Sequence, residues 1–206
     1  SASASPLSKP NKDTVSPIII PYKHDYIDSG GPDDWSEESL HYVAKWWKAT
    51  PEEVEKLLAL KDRLDDIHHF TNHPKFVIYF LRDRHGNVDH AETKFRNMVA
   101  WRLEEHVDDI FERYQPPELM LDHFPVTCLK DYDKEGDPIW LERPGASDAW
   151  GVYQRWGRRN MELFNIWIRE LPLRGVFCKE YERRQQRPPT KMLVILDLHG
   201  YNSRHM

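Results

Sequence analysis

The sequence predicts an α/β protein in which an N-terminal helical unit precedes the first part of a mixed, largely parallel sheet with flanking helices. Apolar residues recur at helical spacing through the first half of the chain, and two short strand-like segments follow Pro116 and Pro117. A continuous apolar run covers residues 192–196 near the end. Such a run is typical of a strand that is buried on both faces of a parallel sheet.

Composition limits the classes of function. The chain has 206 residues, a net charge of -5 and a pI near 6.1, which argues against a nucleic-acid partner. Cys128 and Cys178 are too few for a disulfide framework, and no stretch reaches the roughly 20 apolar residues of a membrane span. We therefore expect a cytoplasmic location, with a peripheral location at membranes as the alternative. We also expect a monomer.

The N-terminal residues differ from the rest of the chain in composition. Residues 1–34 are rich in Ser, Pro, Lys and Gly and predict a flexible leader, with a targeting peptide as the alternative. Because the chain begins with Ser, we expect that an upstream piece is missing from it.

Four helices are predicted within residues 35–115. The first carries Leu40 and Val43, and the second begins after Thr50, where Pro51 and Glu53 complete a capping box. The third covers residues 74–83 and the fourth residues 88–105. This part of the chain is predicted to be an all-helical unit. The stripe of the fourth helix that is predicted to face the core consists of Ala91, Phe95, Met98 and Arg102.

The sheet is predicted to lie within residues 116–206. Strands at 124–129 and 138–141 flank a polar turn at 131–137, and a long helix is expected over 152–171. The apolar run at 192–196 would then be a strand on the same sheet. Few residues follow it, so we expect the chain to end before the fold is complete.

Two clusters resemble metal sites. Asp65, His69 and His73 are spaced four apart and would converge on a helix, although a solvated helix end before Pro74 is the simpler interpretation. The start of a calcium loop at residues 131–136 lacks the later ligands, which favours a polar turn. No catalytic motif is present, so we expect neither a metal nor a cofactor. A metal-dependent hydrolase that uses residues 68–73 is the least favoured alternative.

Arg82 and Arg84 follow the apolar stretch of the third predicted helix. They could bind a phosphate through charge-assisted hydrogen bonds. They could equally complement the negative end of the helix dipole. The pattern alone leaves both interpretations open.

Four segments, taken together and in order, resemble the CRAL-TRIO lipid-binding family, in the branch that includes phosphatidylinositol transfer proteins. They read FVIYFLRDR at residues 76–84, MVAWR at 98–102, DYDKEGDPIWLER at 131–143 and VILDLHG at 194–200. The resemblance extends from about Trp47 to the last residue and leaves the leader unexplained.

The resemblance implies that residues 116–206 form part of a lipid-binding domain whose sheet lines an apolar cavity. An arginine at the position of Arg84 would help to hold a headgroup phosphate. Asp137 replaces an arginine that is usual in the family, and Met192 and Val194 replace the hydroxyl side chains of phosphatidylcholine binders, so that lipid is disfavoured. The residues expected to bind ligand are Arg84, Arg82, Leu129, Trp140, Met192, Val194 and Leu196.

The function expected from this resemblance is lipid binding without catalysis. The ligand would be a phosphoinositide or another amphiphile, carried or presented between membranes, with transient contact to a membrane surface. The alternative is a protein-interaction module with a vestigial pocket, which recruits its partner through the helical unit and the leader.

Overall fold

The chain folds into two compact units that divide between Asp108 and Asp109. The computed structural model describes residue 32 and residues 34–173 and 186–202. The first unit is helical, and the second contains helices and a three-stranded sheet. The predicted mixed α/β class is confirmed. The family domain limits at residues 35–115 and 116–206 stay predictions, because a compact unit need not coincide with a family domain.

Four helices build the helical unit, and each begins or ends close to its predicted position. The third begins and ends at the predicted residues. The capping box is present at the start of the second helix, where Thr50 Oγ1 accepts from the Glu53 backbone N–H at 3.1 Å and Glu53 Oε2 accepts from Thr50 N at 2.9 Å. The helices are α1 (Glu37–Trp46), α2 (Pro51–Arg63), α3 (Pro74–Asp83) and α4 (Val88–Glu104).

The helical unit has a closed apolar core. Leu57, Leu60 and Phe95 have no exposed surface, and the rings of Phe80 and Phe95 meet edge to face with centroids 5.2 Å apart. The predicted stripe of α4 is confirmed at Ala91, Phe95 and Arg102, which are buried, and Met98 is partly buried against the same core.

The segment between α2 and α3 is not helical, so the helical arrangement that the disfavoured metal-site interpretation required of Asp65, His69 and His73 is absent. Pro74 disfavours a helical backbone at the residue before it, and His73 is accordingly extended, with φ -154° and ψ 162°. His69 instead donates from Nε2 to Asp108 Oδ2 at 2.8 Å. Within the described parts of the chain, no group of three or more His, Cys, Asp or Glu side chains could hold a metal ion.

The α/β unit contains a hairpin and one parallel pair of strands. Strands β1 and β2 are antiparallel, and β2 and β3 are parallel, in the order β1-β2-β3. The predicted hairpin and the parallel pairing are therefore confirmed. The elements are α5 (Ile110–Arg113), α6 (Glu118–Asp122), β1 (Val126–Tyr132), β2 (Pro138–Glu142), a 3-10 turn at Pro144–Ala146, α7 (Ala149–Leu173) and β3 (Leu193–Leu196).

Helix α7 is interrupted, whereas the sequence predicted a continuous helix over residues 152–171. Gly157 has φ 76° and ψ 169°, a backbone conformation that a residue without a Cβ adopts readily. The helix also begins earlier than predicted, because Asp148 Oδ1 accepts from the Gly151 N–H at 2.9 Å and caps the first turn. No helix in the described residues combines the length and the apolar character that a membrane span requires.

Strand β3 is exposed, so the predicted burial on both of its faces is wrong. Leu196 is 56% exposed and Ile195 40%. Among the described residues β3 is an edge strand that pairs with β2 on one side and with no strand on the other, so side chains of a neighbouring strand shield it from one side only. The run of apolar residues indicated the strand correctly but not its surroundings.

Candidate functional site

The parallel pairing of β2 and β3 defines which apolar side chains share a face. Trp140 lies beside Val194, and Leu141 beside Ile195. Since side chains alternate along a strand, Val194 and Leu196 lie on the face of Trp140, and Leu193 and Ile195 on the opposite face. Met192 directly precedes the strand. We call the side chains of Met192, Val194 and Leu196 the apolar strip.

Trp140 and the β3 residues of the apolar strip differ in burial although they share a face. Trp140 is 3% exposed, belongs to the same buried cluster as Phe164 and Trp167 of α7, and donates from its indole N–H to Glu142 Oε1 at 2.9 Å. The strip residues are exposed. The face is therefore packed at β2 and open at β3, and a contact between Trp140 and a ligand stays a prediction.

Leu129 lies in the irregular part of the hairpin. The pairing of β1 with β2 shifts between Cys128 and Tyr132, and Leu129 falls within that interval. Its side chain is half-buried. The structure thus places Leu129 two strands away from the apolar strip, with β2 between them, and its role as a ligand contact stays a prediction.

A polar pair that the sequence analysis missed lies at the carboxyl ends of the parallel strands. Arg143 follows β2 and donates from Nε to Asp197 Oδ2, after β3, at 3.2 Å. The hydrogen bond from the His199 backbone N–H, aided by Arg143, holds the pKa of Asp197 below its usual range. The sequence did contain a signal for this pair, because a basic and an acidic residue directly follow the two strands. The carboxyl ends of parallel strands lie at the same edge of a sheet, so such residues come close together.

Gly145 closes the same edge of the sheet. A Cβ at this position would lie 2.1 Å from the His199 carbonyl oxygen, so only glycine permits the approach of the two backbones. The segment after β3 is therefore held against the segment after β2.

Asp137 is a buried carboxylate with two partners after α7. Its side chain is 1% exposed, and Oδ1 accepts from the Thr190 backbone N–H at 3.2 Å and from Arg187 Nη2 at 3.1 Å. Arg187 also donates to the Glu135 carbonyl oxygen. Asp137 thus holds the approach to β3 against the hairpin.

The hairpin turn uses Asp133 for internal bonds rather than for a cation. Its Oδ1 accepts from the backbone N–H groups of Glu135 at 2.9 Å and Asp137 at 2.8 Å. These bonds lower the pKa of Asp133, with the bond from Asp137 as the largest cause. The interpretation as a polar turn fits this arrangement.

The Arg82 side chain forms its hydrogen bonds within the helical unit. Its Nε donates to Glu53 Oε1 at 2.7 Å, and its Nη2 donates to the Trp47 carbonyl oxygen at 2.9 Å. The hydrogen bond from Arg82 lowers the pKa of Glu53. These contacts join α3 to the start of α2 and to the end of α1.

Arg84 has a looser arrangement. Its Nε lies 2.9 Å from Oδ2 of the neighbouring Asp83, which also accepts from Lys94 Nζ at 2.7 Å. The Arg84 side chain is 42% exposed. Arg84 belongs to the helical unit, and its contact with a ligand phosphate stays a prediction.

No family model matches the chain. Among curated proteins, it is 28% identical over 170 residues to Protein real-time of Anopheles gambiae, an alignment that covers 80% of this chain and 24% of the relative. It is 26% identical over 159 residues to Protein real-time of Drosophila melanogaster, covering 76% of this chain and 24% of the relative.

A third relative comes from Caenorhabditis elegans and is 28% identical over 174 residues, which cover 83% of this chain and 24% of the relative. Its name states that it contains a CRAL-TRIO domain. The chain spans about a quarter of the length of these curated relatives. Their names indicate no catalytic activity, and the mixed α/β fold is consistent with part of a CRAL-TRIO-like fold.

Proposed function

We propose that this chain is part of a CRAL-TRIO-like lipid-binding domain and that the apolar strip of β3 contacts the acyl chains of the lipid. The observation that carries the proposal is the exposure of a continuous apolar strand beside β2, in which Trp140 is buried. The CRAL-TRIO domain in the name of one relative and the four sequence segments support the same ligand class. No chemical step is part of this function.

The physical drive is the removal of apolar surface from water. Burial contributes about 25 cal/mol per Å² of apolar surface, and each acyl methylene that leaves water adds about 0.8 kcal/mol. Val194 is 46% exposed and Met192 36%, so an acyl chain laid along the strip would cover surface that is now exposed. An apolar ligand is the occupant that requires no polar partner from these side chains.

The two faces of β3 provide a matched test. The variant Val194→Asp with Leu196→Asp places charges on the strip, and Leu193→Asp with Ile195→Asp places the same charges on the opposite face. Lipid that co-purifies with each protein is identified and quantified by native mass spectrometry. We expect bound lipid in the unmodified chain and the opposite-face variant, and a loss of at least about tenfold in the strip variant.

Absence of lipid from the unmodified folded chain would contradict the proposal. Equal loss from both variants, with both folded by circular dichroism, would favour the protein-interaction module instead.

We further propose that Arg84 binds the phosphate of a phosphoinositide. Arg84 is half-exposed and bound to a neighbouring carboxylate, so a phosphate can replace that partner with charge-assisted hydrogen bonds. Arg82 is the less suitable cation, because Glu53 and the Trp47 carbonyl already bind it.

Lys94 is the matched control for Arg84, since both cations bind Asp83. We expect Arg84→Ala to weaken binding of a soluble short-chain phosphoinositide by about tenfold, and Lys94→Ala to leave the affinity within about twofold of the unmodified chain. Calorimetry measures both. Equal affinities of the two variants would remove Arg84 from the site.

A further inference from the structure

Two aromatic rings are exposed at the start of α7. Trp150 is 63% exposed and Tyr153 41%, and their rings stack with centroids 5.6 Å apart and an interplanar angle of 14°. Val152 between them has no exposed surface. The helix therefore packs its aliphatic side chain inward and leaves the two large rings in water, where exposed aromatic surface commonly marks an interaction site.

Residues 149–161 form a basic segment that is flanked by the acidic residues Asp148 and Glu162. Residues 149–161 contain three arginines and no Asp or Glu, although the whole chain has a net charge of -5. The Arg155 guanidinium lies over the Trp156 ring at 5.0 Å. Arg158 and Arg159 share Glu162, at 2.7 Å and 3.6 Å. We call Trp150, Tyr153 and these three arginines the aromatic-arginine patch.

The helical unit offers an informative contrast. Trp101 is 44% exposed and Leu103 63%, but Glu104 and Glu105 follow them directly. Arg102, between them, is 4% exposed and donates to Asp108 at 2.7 Å. This second apolar surface is therefore followed by two glutamates, whereas the segment that carries Trp150 and Tyr153 contains three arginines between Asp148 and Glu162.

From this contrast we propose that the aromatic-arginine patch docks on an anionic phospholipid surface. Trp and Tyr rings favour the boundary between water and hydrocarbon, because one end of each ring system is apolar and the other is polar. Arginines near an anionic leaflet contribute about 1 kcal/mol each at ordinary ionic strength. Trp101 and Leu103 lack this electrostatic attraction, so the membrane meets the patch on α7.

This surface is distinct from the apolar strip, and adsorption to a bilayer requires no lipid bound on β3. The inference therefore goes beyond the proposed function. Co-purified lipid reports on the strip and vesicle binding on the patch, so failure of one can be distinguished from failure of the other.

The experiment measures partitioning of the 206-residue chain onto vesicles by flotation. Vesicles of phosphatidylcholine with phosphatidylserine are compared with vesicles of phosphatidylcholine alone. The variant Trp150→Ser with Tyr153→Ser is compared with Trp101→Ser with Leu103→Ser, which removes similar exposed surface elsewhere. We expect binding of the unmodified chain to the anionic vesicles, a decrease of about tenfold in the Trp150 and Tyr153 variant, and less than about twofold change in the control.

Charge is tested by a second pair of variants. Arg155→Gln with Arg159→Gln lowers the positive charge of the patch, and Arg113→Gln with Lys134→Gln removes two exposed cations elsewhere. We expect about tenfold weaker anionic binding in the first and little change in the second. Absence of binding by the unmodified chain would overturn the proposal, and so would equal losses in the patch variants and their controls.

Discussion

The two compact units differ in where the residues that the sequence suggested as core or as site are found. In the helical unit, the charged residues that looked functional bind one another: Arg82 binds Glu53, and His69 binds Asp108. In the α/β unit, the apolar strand that looked like core is exposed. Charged side chains are therefore poor indicators of a site where helices offer partners. Apolar side chains are better indicators where a strand has an open edge, since burial is their ordinary state in a folded unit.

The largest expected difference between the units concerns truncation of leucine. Leu60 has no exposed surface and Leu196 is 56% exposed. We expect Leu60→Ala to lower the free energy of unfolding by roughly 2 to 5 kcal/mol, because it leaves a cavity. Leu196→Ala should change it by about 0.5 kcal/mol or less. Urea denaturation followed by circular dichroism measures both, and a large loss at Leu196 would show that β3 is covered in solution.

The next effect concerns the carboxylate at the end of the helical unit. Asp108 accepts from His69 and from Arg102, whose side chain is 5% exposed. Burial acts to raise the pKa of Asp108, but the hydrogen bond from His69 and the charge of Arg102 outweigh it and hold the pKa below its usual value. Asp108→Asn should therefore lower the free energy of unfolding by roughly 2 kcal/mol near neutral pH.

The sign of the pH dependence follows from that lowered pKa. The stabilisation from Asp108 is present above the unfolded pKa of about 3.9 and is lost as the pH falls through the folded pKa. The difference between Asp108→Asn and the unmodified chain should shrink in acid. The exposed Asp62 provides a control, and Asp62→Asn should show little difference at either pH. A difference at Asp108 that is independent of pH would contradict this account.

A smaller effect separates the two arginines of α3. Arg82→Ala removes three hydrogen bonds to Glu53 and Trp47 and should cost about 1 kcal/mol of unfolding free energy, since the pair is partly exposed. Arg84→Ala should cost less, because its one ion pair is with the adjacent residue. Thermal denaturation compares the two. The opposite order would assign Arg84 a structural role.

The smallest effect lies in the α/β unit and is spectroscopic. Burial raises the pKa of Tyr114 to about 12, and its hydroxyl donates to the Asn160 carbonyl oxygen at 3.2 Å. The neutral phenol is favoured in the fold, so this stabilisation is complete below the unfolded pKa of about 10 and is lost as the pH rises through the folded pKa. Ultraviolet titration should show a late ionisation that is absent in Tyr114→Phe. Its persistence in that variant would refute the assignment.

Local features were predictable from the sequence. The capping box at Thr50, the bounds of α3 and the hairpin follow from residues close together in the chain. The break at Gly157 was missed because a glycine inside a periodic pattern is compatible with a helix, and only the backbone reveals that it has positive φ.

The remaining differences depend on contacts between distant residues. Asp137 meets Thr190, and Arg143 meets Asp197, across more than fifty positions in the sequence. Spacing along the chain cannot reveal such pairs. The exposure of β3 belongs to the same class, because burial of a strand depends on its neighbours in the sheet rather than on its own residues. The apolar run therefore predicted the strand but not its environment.

The most direct test of the lipid proposal is to locate a bound acyl chain. The 206-residue chain is loaded with a phospholipid that carries a photoreactive group in its acyl chain, irradiated, digested and mapped by mass spectrometry. We expect adducts on the apolar strip, at Met192, Val194 or Leu196. Adducts confined to the helical unit, or none at all, would contradict the claim that β3 contacts the lipid.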